Sequence, residues 1–509
     1  METVHGKYEQ RNMTQVATGQ ARVPVKLELQ HAAKRVLSTT AACFVTGVER
    51  TETDIHVKGK VVTRVIFIDE FDGYNSEDRT DEFVERFAPK NIATLSSVSA
   101  LAAIVQSSTI KTAKSDGDLI TTVTTEHTIN IGVNGLMQSE ITFVQALKGD
   151  VETATQETSI HTWGQSFNDR FEIGETFSLD QNVDGIMGVE LSAHIKDIAV
   201  ADGKFTIKGI AVACVSEVRS TESGQSMSNT FHDFDFTKTF NKKDINLDDQ
   251  IFGMVNVSNV AMKIENKTQP ELVIEAEITF TGHSMVRHEI KTVSDAFSCG
   301  HVLDFAHATA LNTVLLPQSN ITADVEGNMT MPENSPYIAK VLWSSAPTIG
   351  TLNVKAVEDK VVVEGVLTSQ IVYQCEEQNS HSHTIQVPFA VNVKVDGVRP
   401  EYNISAFVNP LSCNVKARRG KELLVDARIG VNVSGNTTSD VRLVSNVTLG
   451  AEKMRDDYAI TIHVAAAGET LWDIAKRVSI STAEIVRQNP TTERGIAEGD
   501  RIFIYNRQK

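Results

Sequence analysis

DEFVERF at residues 81–87, HDFDFTKTF at 232–240 and VPFAVNV at 387–393 set Phe83 with Phe87, Phe236 with Phe240 and Phe389 with Val393, three pairs of one spacing about 150 residues apart. Self-similarity at a fixed period implies copies of one module. Upstream of each pair an alternating stretch ends in glycine: HVKG at Gly59, FTIKG at Gly209 and VVVEG at Gly365. Downstream of each runs a longer stretch with an apolar residue at most second positions. These are Val123, Thr125, His127, Ile129, Ile131 and Val133; then Leu272, Ile274, Ala276, Ile278 and Phe280; then Leu423, Val425, Ala427, Ile429, Val431 and Val433. Period two over that length marks a half-buried strand, because side chains alternate between the faces of a sheet.

Polar stretches such as DEFDGYNSED and CEEQNSHSH separate the runs, β-branched residues are abundant and prolines number only 11, so the strands are predicted to be antiparallel with polar hairpin ends. The expected fold is mainly β: three tandem antiparallel β-sandwich-like modules at residues 21–170, 171–320 and 321–450. Residues 1–20 are polar and are expected to be disordered.

The pattern changes after residue 457. HVAAAGETLWDIAKRVSISTAEIVRQNPTTERGIAEGDRIFIY, from His463 to Tyr505, reads as strand, helix, helix, strand. Leu471, Ile474, Ala475 and Val478 fall on one helical stripe, and Thr470 with Asp473 has the spacing of a capping box. Ser481 and Glu484 share that spacing at the second helix. From Tyr458 to the end, seven basic residues face six acidic ones, whereas the whole chain carries a net charge of −17.

That acidic balance opposes nucleic-acid binding, since the body repels phosphate. No apolar stretch approaches the 18 residues of a membrane span, and the first 30 residues lack the apolar centre of a signal peptide. Five cysteines, never spaced as a CxxC pair, are read as reduced and mostly buried thiols.

The tail resembles a LysM domain, placed at residues 458–507, through GETLWDIAKR, the Asn489-Pro490 pair and Gly499 before the last strand. The β copies resemble the SPOCS module of spore-coat proteins through MPENSPYIAKVLW (Met331 to Trp343), DKVVVEGVLTSQIVY (ending at Tyr373) and VPFAVNV, the third copy matching best. Three such modules and a terminal LysM are the layout of a clostridial spore-coat morphogenesis family. The resemblance implies a mother-cell adaptor at the forespore surface whose LysM docks a coat-basement ATPase of the stage IV sporulation protein A type. It also implies a glycan site at Gly468, Glu469, Thr470, Leu471, Asn489, Pro490 and Ile496, where exposed amides and a small apolar floor suit an N-acetyl group of peptidoglycan. HVAAAGETL lacks the lysine or proline usual before the glycine.

Each of these residues also has a plain structural use: turns for Gly468 and Asn489, a cap for Thr470, core for Leu471 and Ile496. Trp472 lies about 60° beyond the buried stripe with Lys476 next to it, so the two are expected to form a docking face. The acidic stretch from Asp69 to Glu82 lacks the ligand spacing of a calcium loop and is read as a solvated hairpin end. His381 and His383 lack a visible third metal ligand. Neither cofactor nor metal is expected, and with no nucleophile or phosphate-loop motif the chain is read as non-enzymatic, with self-association possible. A peptidoglycan-binding cell-wall or cortex protein is the alternative.

Overall fold

The computed structural model describes residues 1–114, 118–180, 182–221, 224–265, 270–453 and 460–505. The chain is mainly β. It opens with β1 (Glu2–Arg50), β2 (Ile55–Asp69), β3 (Tyr74–Phe87), β4 (Leu95–Lys114) and β5 (Ile120–Lys148). The first half of β1 pairs antiparallel with β5, from Glu2 opposite Lys148 to Glu28 opposite Thr122. Its second half leaves β5 and pairs with β2, which pairs in turn with β3, while β4 flanks β5.

The same scheme follows in β6 (Glu152–Ser178), β7 (Val183–Ala201), β8 (Lys204–Thr221), β9 (Gly224–Asn241), β10 (Gln250–Glu265) and β11 (Glu271–Phe297). There β6 pairs with β11 and β7 with β8, giving sheets of order β10-β11-β6 and β7-β8-β9. It occurs once more with the leading segment cut into five pieces: β12 (His301–Leu315), β13 (Ser319–Thr330), β14 (Ile338–Ser344), β15 (Thr348–Ile349) and β16 (Asn353–Val357). The first two pair with β20 (Glu422–Glu452) and the other three with β17 (Lys360–Cys375); β18 (Ser380–Lys394) flanks β17 and β19 (Asn403–Ala417) flanks β20. The first set forms one sheet of order β3-β2-β1-β5-β4 and the other two sets form two sheets each, and in every set the strands feed one buried cluster. Val23, Val57, Phe83 and Ile131 share the first; Phe171, Ile207, Phe236 and Ile278 the second; Val363, Phe389, Val415 and Ile429 the third.

The glycines and phenylalanines of the sequence pattern are cross-strand neighbours. Gly59 lies opposite Phe83, Gly209 opposite Phe236 and Gly365 opposite Phe389, and a Cβ on any of the three glycines would collide with the facing ring. Glycine is required because the aromatic ring lies flat across the partner backbone, covering it from water.

The three strand sets close on one another. Tyr8 and Phe143, Ile160 and Ile290, and Ala310 and Leu443 meet in one cluster, to which each set gives one residue from its first strand and one from its last. Around it Arg11 N donates to Thr162 Oγ1 at 2.7 Å, His161 N to Asn312 Oδ1 at 2.8 Å and Leu311 N to Gln10 Oε1 at 2.9 Å. First donates to second, second to third and third to first, a closed cycle. A further cluster of Leu37, Ile66, Met227, Leu342, Trp343 and Val372 again draws on all three sets.

Two expectations change. Residues 2–20 form the leading half of β1 and are not a loose end. They carry no alternating apolar run because backbone pairing with β5 and the central burial of Tyr8 and Gln10 hold them, while most of their side chains stay half-exposed. Strand pairing divides the body near 150 and 300, about 20 residues before the sequence-based boundaries, because β6 and β12 begin there and pair with the last strands of the second and third sets.

The chain ends in β21 (Ile460–Val464), α1 (Leu471–Val478), α2 (Thr482–Gln488) and β22 (Arg501–Tyr505), the two strands pairing antiparallel. Both helices cover one face of this hairpin, where Ile474, Ala475, Ile485, Ile502 and Ile504 are buried together. No helix among the described residues is long and apolar enough to cross a membrane.

Candidate functional site

The entry to α1 is fixed locally. Thr470 Oγ1 accepts the Asp473 N–H at 3.2 Å while the Asp473 carboxylate accepts the Thr470 N–H at 2.9 Å, a complete capping box. Ser481 caps α2 through the Glu484 N–H, and the Glu484 carboxylate turns to Arg487. Gly468 sits in the turn before α1 at φ +75°, the left-handed region that favours glycine. Next to it Glu469 accepts from Ala466 N at 3.0 Å and lies 2.8 Å from both His463 Nε2 and Arg477 Nη1. The Ala466 N–H, then the His463 ring, and then the Arg477 charge hold its carboxyl below the usual glutamate range.

The expected glycan residues divide. Gly468, Thr470 and Pro490 are exposed on loops, while Leu471 and Ile496 pack against the buried cluster. Asn489 is buried, and its side chain bonds within the tail: Nδ2 donates to the carbonyls of Ile485 and Phe503 at 3.1 and 2.7 Å, and Oδ1 accepts the Phe503 N–H at 2.8 Å. It clips the end of α2 to β22, and both of its amide hydrogens are spent inside the tail.

Trp472 is half-buried against the same cluster and Lys476 is exposed, and the end of β11 meets both. Trp472 Nε1 donates to Asp295 Oδ2 at 2.9 Å, and Lys476 Nζ is 2.7 Å from both oxygens of the same carboxylate. The Trp472 ring meets the buried Phe297 ring edge-on at 5.0 Å. Burial acts to raise the Asp295 carboxyl, but the Lys476 and Trp472 hydrogen bonds together with the lysine charge outweigh it and hold the group below the usual aspartate range. Thr482 Oγ1 adds a bond to Glu152 at 3.1 Å, and Lys453 Nζ bridges the Ser298 carbonyl and Ser479 Oγ at 2.9 and 2.8 Å. The predicted face is thus a seat shared by α1 and the end of β11.

Sequence reasoning missed Asp295, Phe297, Glu152 and Lys453, because nothing in a local pattern ties β11 to α1. A signal existed in the comparison of the copies. Pairing registers put Lys148, Asp295 and Thr448 at one equivalent place, opposite Glu2, Ala154 and Asp304. Only the second copy offers a carboxylate there, and Lys148 would repel Lys476.

Elsewhere, Asp69 in the acidic stretch is buried and accepts the Phe71 and Gly73 N–H groups at 2.8 Å, so it organises a turn. Among the described residues no group of three or more His, Cys, Asp or Glu side chains is arranged to hold a metal ion. A cleft of about 560 Å³ between the first and third strand sets is lined by hydroxyls of Ser38, Thr39, Ser107 and Thr384 with Gln370 and His383.

No curated protein and no solved structure matches the chain. Residues 337–418, which run from the start of β14 through the end of β19, match the family model of the SipL, SPOCS domain, and this match supports a SipL-like family with a sporulation and coat-related role.

Proposed function

We propose that the chain is a non-enzymatic adaptor of spore-coat assembly: three SPOCS-like β-sandwich modules closed into one body, with a LysM-like tail that docks a coat-basement ATPase of the stage IV sporulation protein A type at the forespore surface. The observation that carries this reading is the SipL, SPOCS match at residues 337–418. One feature of the tail supports docking of protein in place of glycan: both amide hydrogens of Asn489 are spent inside the tail.

The test is capture of the purified ATPase, and separately of insoluble peptidoglycan, by the full chain and by a chain cut after Lys453, which keeps the β body and lacks the tail. The adaptor reading expects the full chain to retain the ATPase and the cut chain to lose it, with the strand signal of the β body unchanged. Sedimentation with peptidoglycan and no retention of the ATPase would replace it by the cell-wall reading.

A further inference from the structure

The hairpin of β21 and β22 has two unlike faces. Ile502 and Ile504 point to the helices and are buried, whereas Ile460, Ile462, Val464, Phe503 and Tyr505 are 56, 55, 56, 39 and 48% exposed. Ile460 pairs with Tyr505, Ile462 with Phe503 and Val464 with Arg501, so the five apolar side chains are direct neighbours on one surface. The contacts described above that seat the tail come from Trp472, Lys476, Ser479 and Thr482, on or beside the helices. Among the described residues, none of these contacts falls on the sheet's outer face. Half-exposed, five large side chains amount to roughly 500 Å² of apolar surface, the size at which a patch on a single chain is commonly functional.

We infer that this face pairs two copies of the chain, sheet against sheet. Three observations select a second copy. The patch carries one charged residue, Arg501, so it offers no charge pattern by which a different partner would be chosen. Chains of net charge −17 repel one another, and the tail, with seven basic against six acidic residues from Tyr458 onward, is where two of them approach at least cost. Burying the patch on both copies removes about 1,000 Å², the lower limit for a specific contact, and so makes a weak, reversible dimer. A two-fold axis in the sheet plane and across the strands stacks Phe503 on its twin. It also sets Arg501 of each copy over the Tyr505 ring of the other, a cation–π contact. A scaffold joined in this way could be built up at high local concentration and stay single when dilute.

Sedimentation equilibrium of the full chain between about 1 and 200 µM tests the pairing. The wild type should rise from monomer mass toward twice that value, and Phe503→Glu, which sets like charges on the axis, should weaken the association at least about tenfold. Phe503 is exposed, so the variant is expected to fold; unchanged shielding of Trp472 from acrylamide reports that the tail is still formed and seated. Val366→Glu, at an exposed position on the β body, should leave the dimer intact. A wild type that stays monomeric throughout, or a dimer equally strong in Phe503→Glu, overturns the inference. So does a monomeric wild type whose Phe503→Glu variant loses the ATPase, since the face then belongs to that partner. Adaptor function is read by capture and pairing by mass, so either can fail alone.

Discussion

The β body and the C-terminal unit hold their places by different physics. In the body, apolar side chains from all three strand sets converge on shared clusters, and three N–H donors close a cycle, so each set is fixed by both of the others. The tail's small core takes in one body residue, Phe297 at the end of β11, and the tail is otherwise set against the body by one carboxylate and a few side-chain bonds. Cores are the same in kind at all three equivalent places. The seat exists at only one, where Asp295 replaces the Lys148 and Thr448 of the other copies. A module can therefore keep its packing and still acquire a private surface.

The largest effect that tests this contrast lies in the cores. Phe83, Phe236 and Phe389, each 6–8% exposed, cover Gly59, Gly209 and Gly365, and truncating any one to Ala should cost about 3–5 kcal/mol. Urea unfolding of the three variants should give comparable losses. A large loss in one and none in the others would mean that the shared spacing carries no shared packing.

Acid comes next and separates the two regions by order of failure. His194 of β7 is buried against β20, where a Cβ on Gly430 would collide with its ring, and His283 lies among Trp163 and Phe252. Burial pushes both imidazoles down to about 4. The unfolded chain takes up these protons near pH 6.5, so stability that is full above that value is lost as the pH falls toward about 4. Each histidine accounts for up to about 3 kcal/mol. Asp295, held below the usual carboxylate range, stays ionised through that window, so its part in the seat fails only at lower pH. Urea midpoints between pH 7 and 4 should fall for the wild type and fall less for His194→Gln. Acrylamide quenching at pH 5 in the absence of denaturant should show Trp472 still shielded.

The seat itself is worth less. Asp295→Lys, which copies the residue of the first module, should release the tail, and Asp295→Ala should weaken the seat by about 1–2 kcal/mol, since the carboxylate is partly exposed and screened. Trp163 and Trp343 are buried in the body, so increased quenching of tryptophan fluorescence reports on Trp472. The body's own urea midpoint should not move. If it does, the tail is part of the body's stability and the contrast between the two regions is lost.

The sequence made some of this legible and left the rest hidden for a physical reason. Alternation revealed the strands β5, β11 and β20, because a half-buried strand prints its burial on its own residues. The capping box at Thr470 was equally local. The identity of Gly59 and Phe83 as facing partners was not, although both were visible as recurring marks, because cross-strand register is set by distant residues. Trp472 and Lys476 were visible as a neighbouring pair on α1, but not what they touch. Their nearest partner, Asp295, is a single residue far earlier in the chain, and no periodicity encodes it. Residues 2–20 were misread because pairing with β5 uses the backbone, which leaves no mark in side-chain pattern.

The smallest predicted effect decides between two uses of one residue. Thr470 caps α1 through Oγ1, and the same exposed hydroxyl stands in the loop where the LysM resemblance implies a sugar. Removing the cap costs about 1 kcal/mol, within a unit whose core is a handful of side chains. Thr470→Ala should therefore lower the melting of the α1 signal slightly, and Thr470→Ser, which keeps the acceptor oxygen, should restore it. If the hydroxyl serves only the helix, titration with chito-oligomers will be the same for all three proteins at a temperature where each is folded. A sugar affinity that falls with Ala and returns with Ser, with α1 unaffected, would assign the hydroxyl to a ligand. The tail would then present a glycan loop beside its seat on the β body, and its resemblance to the wall-binding members of its fold would extend to what it binds.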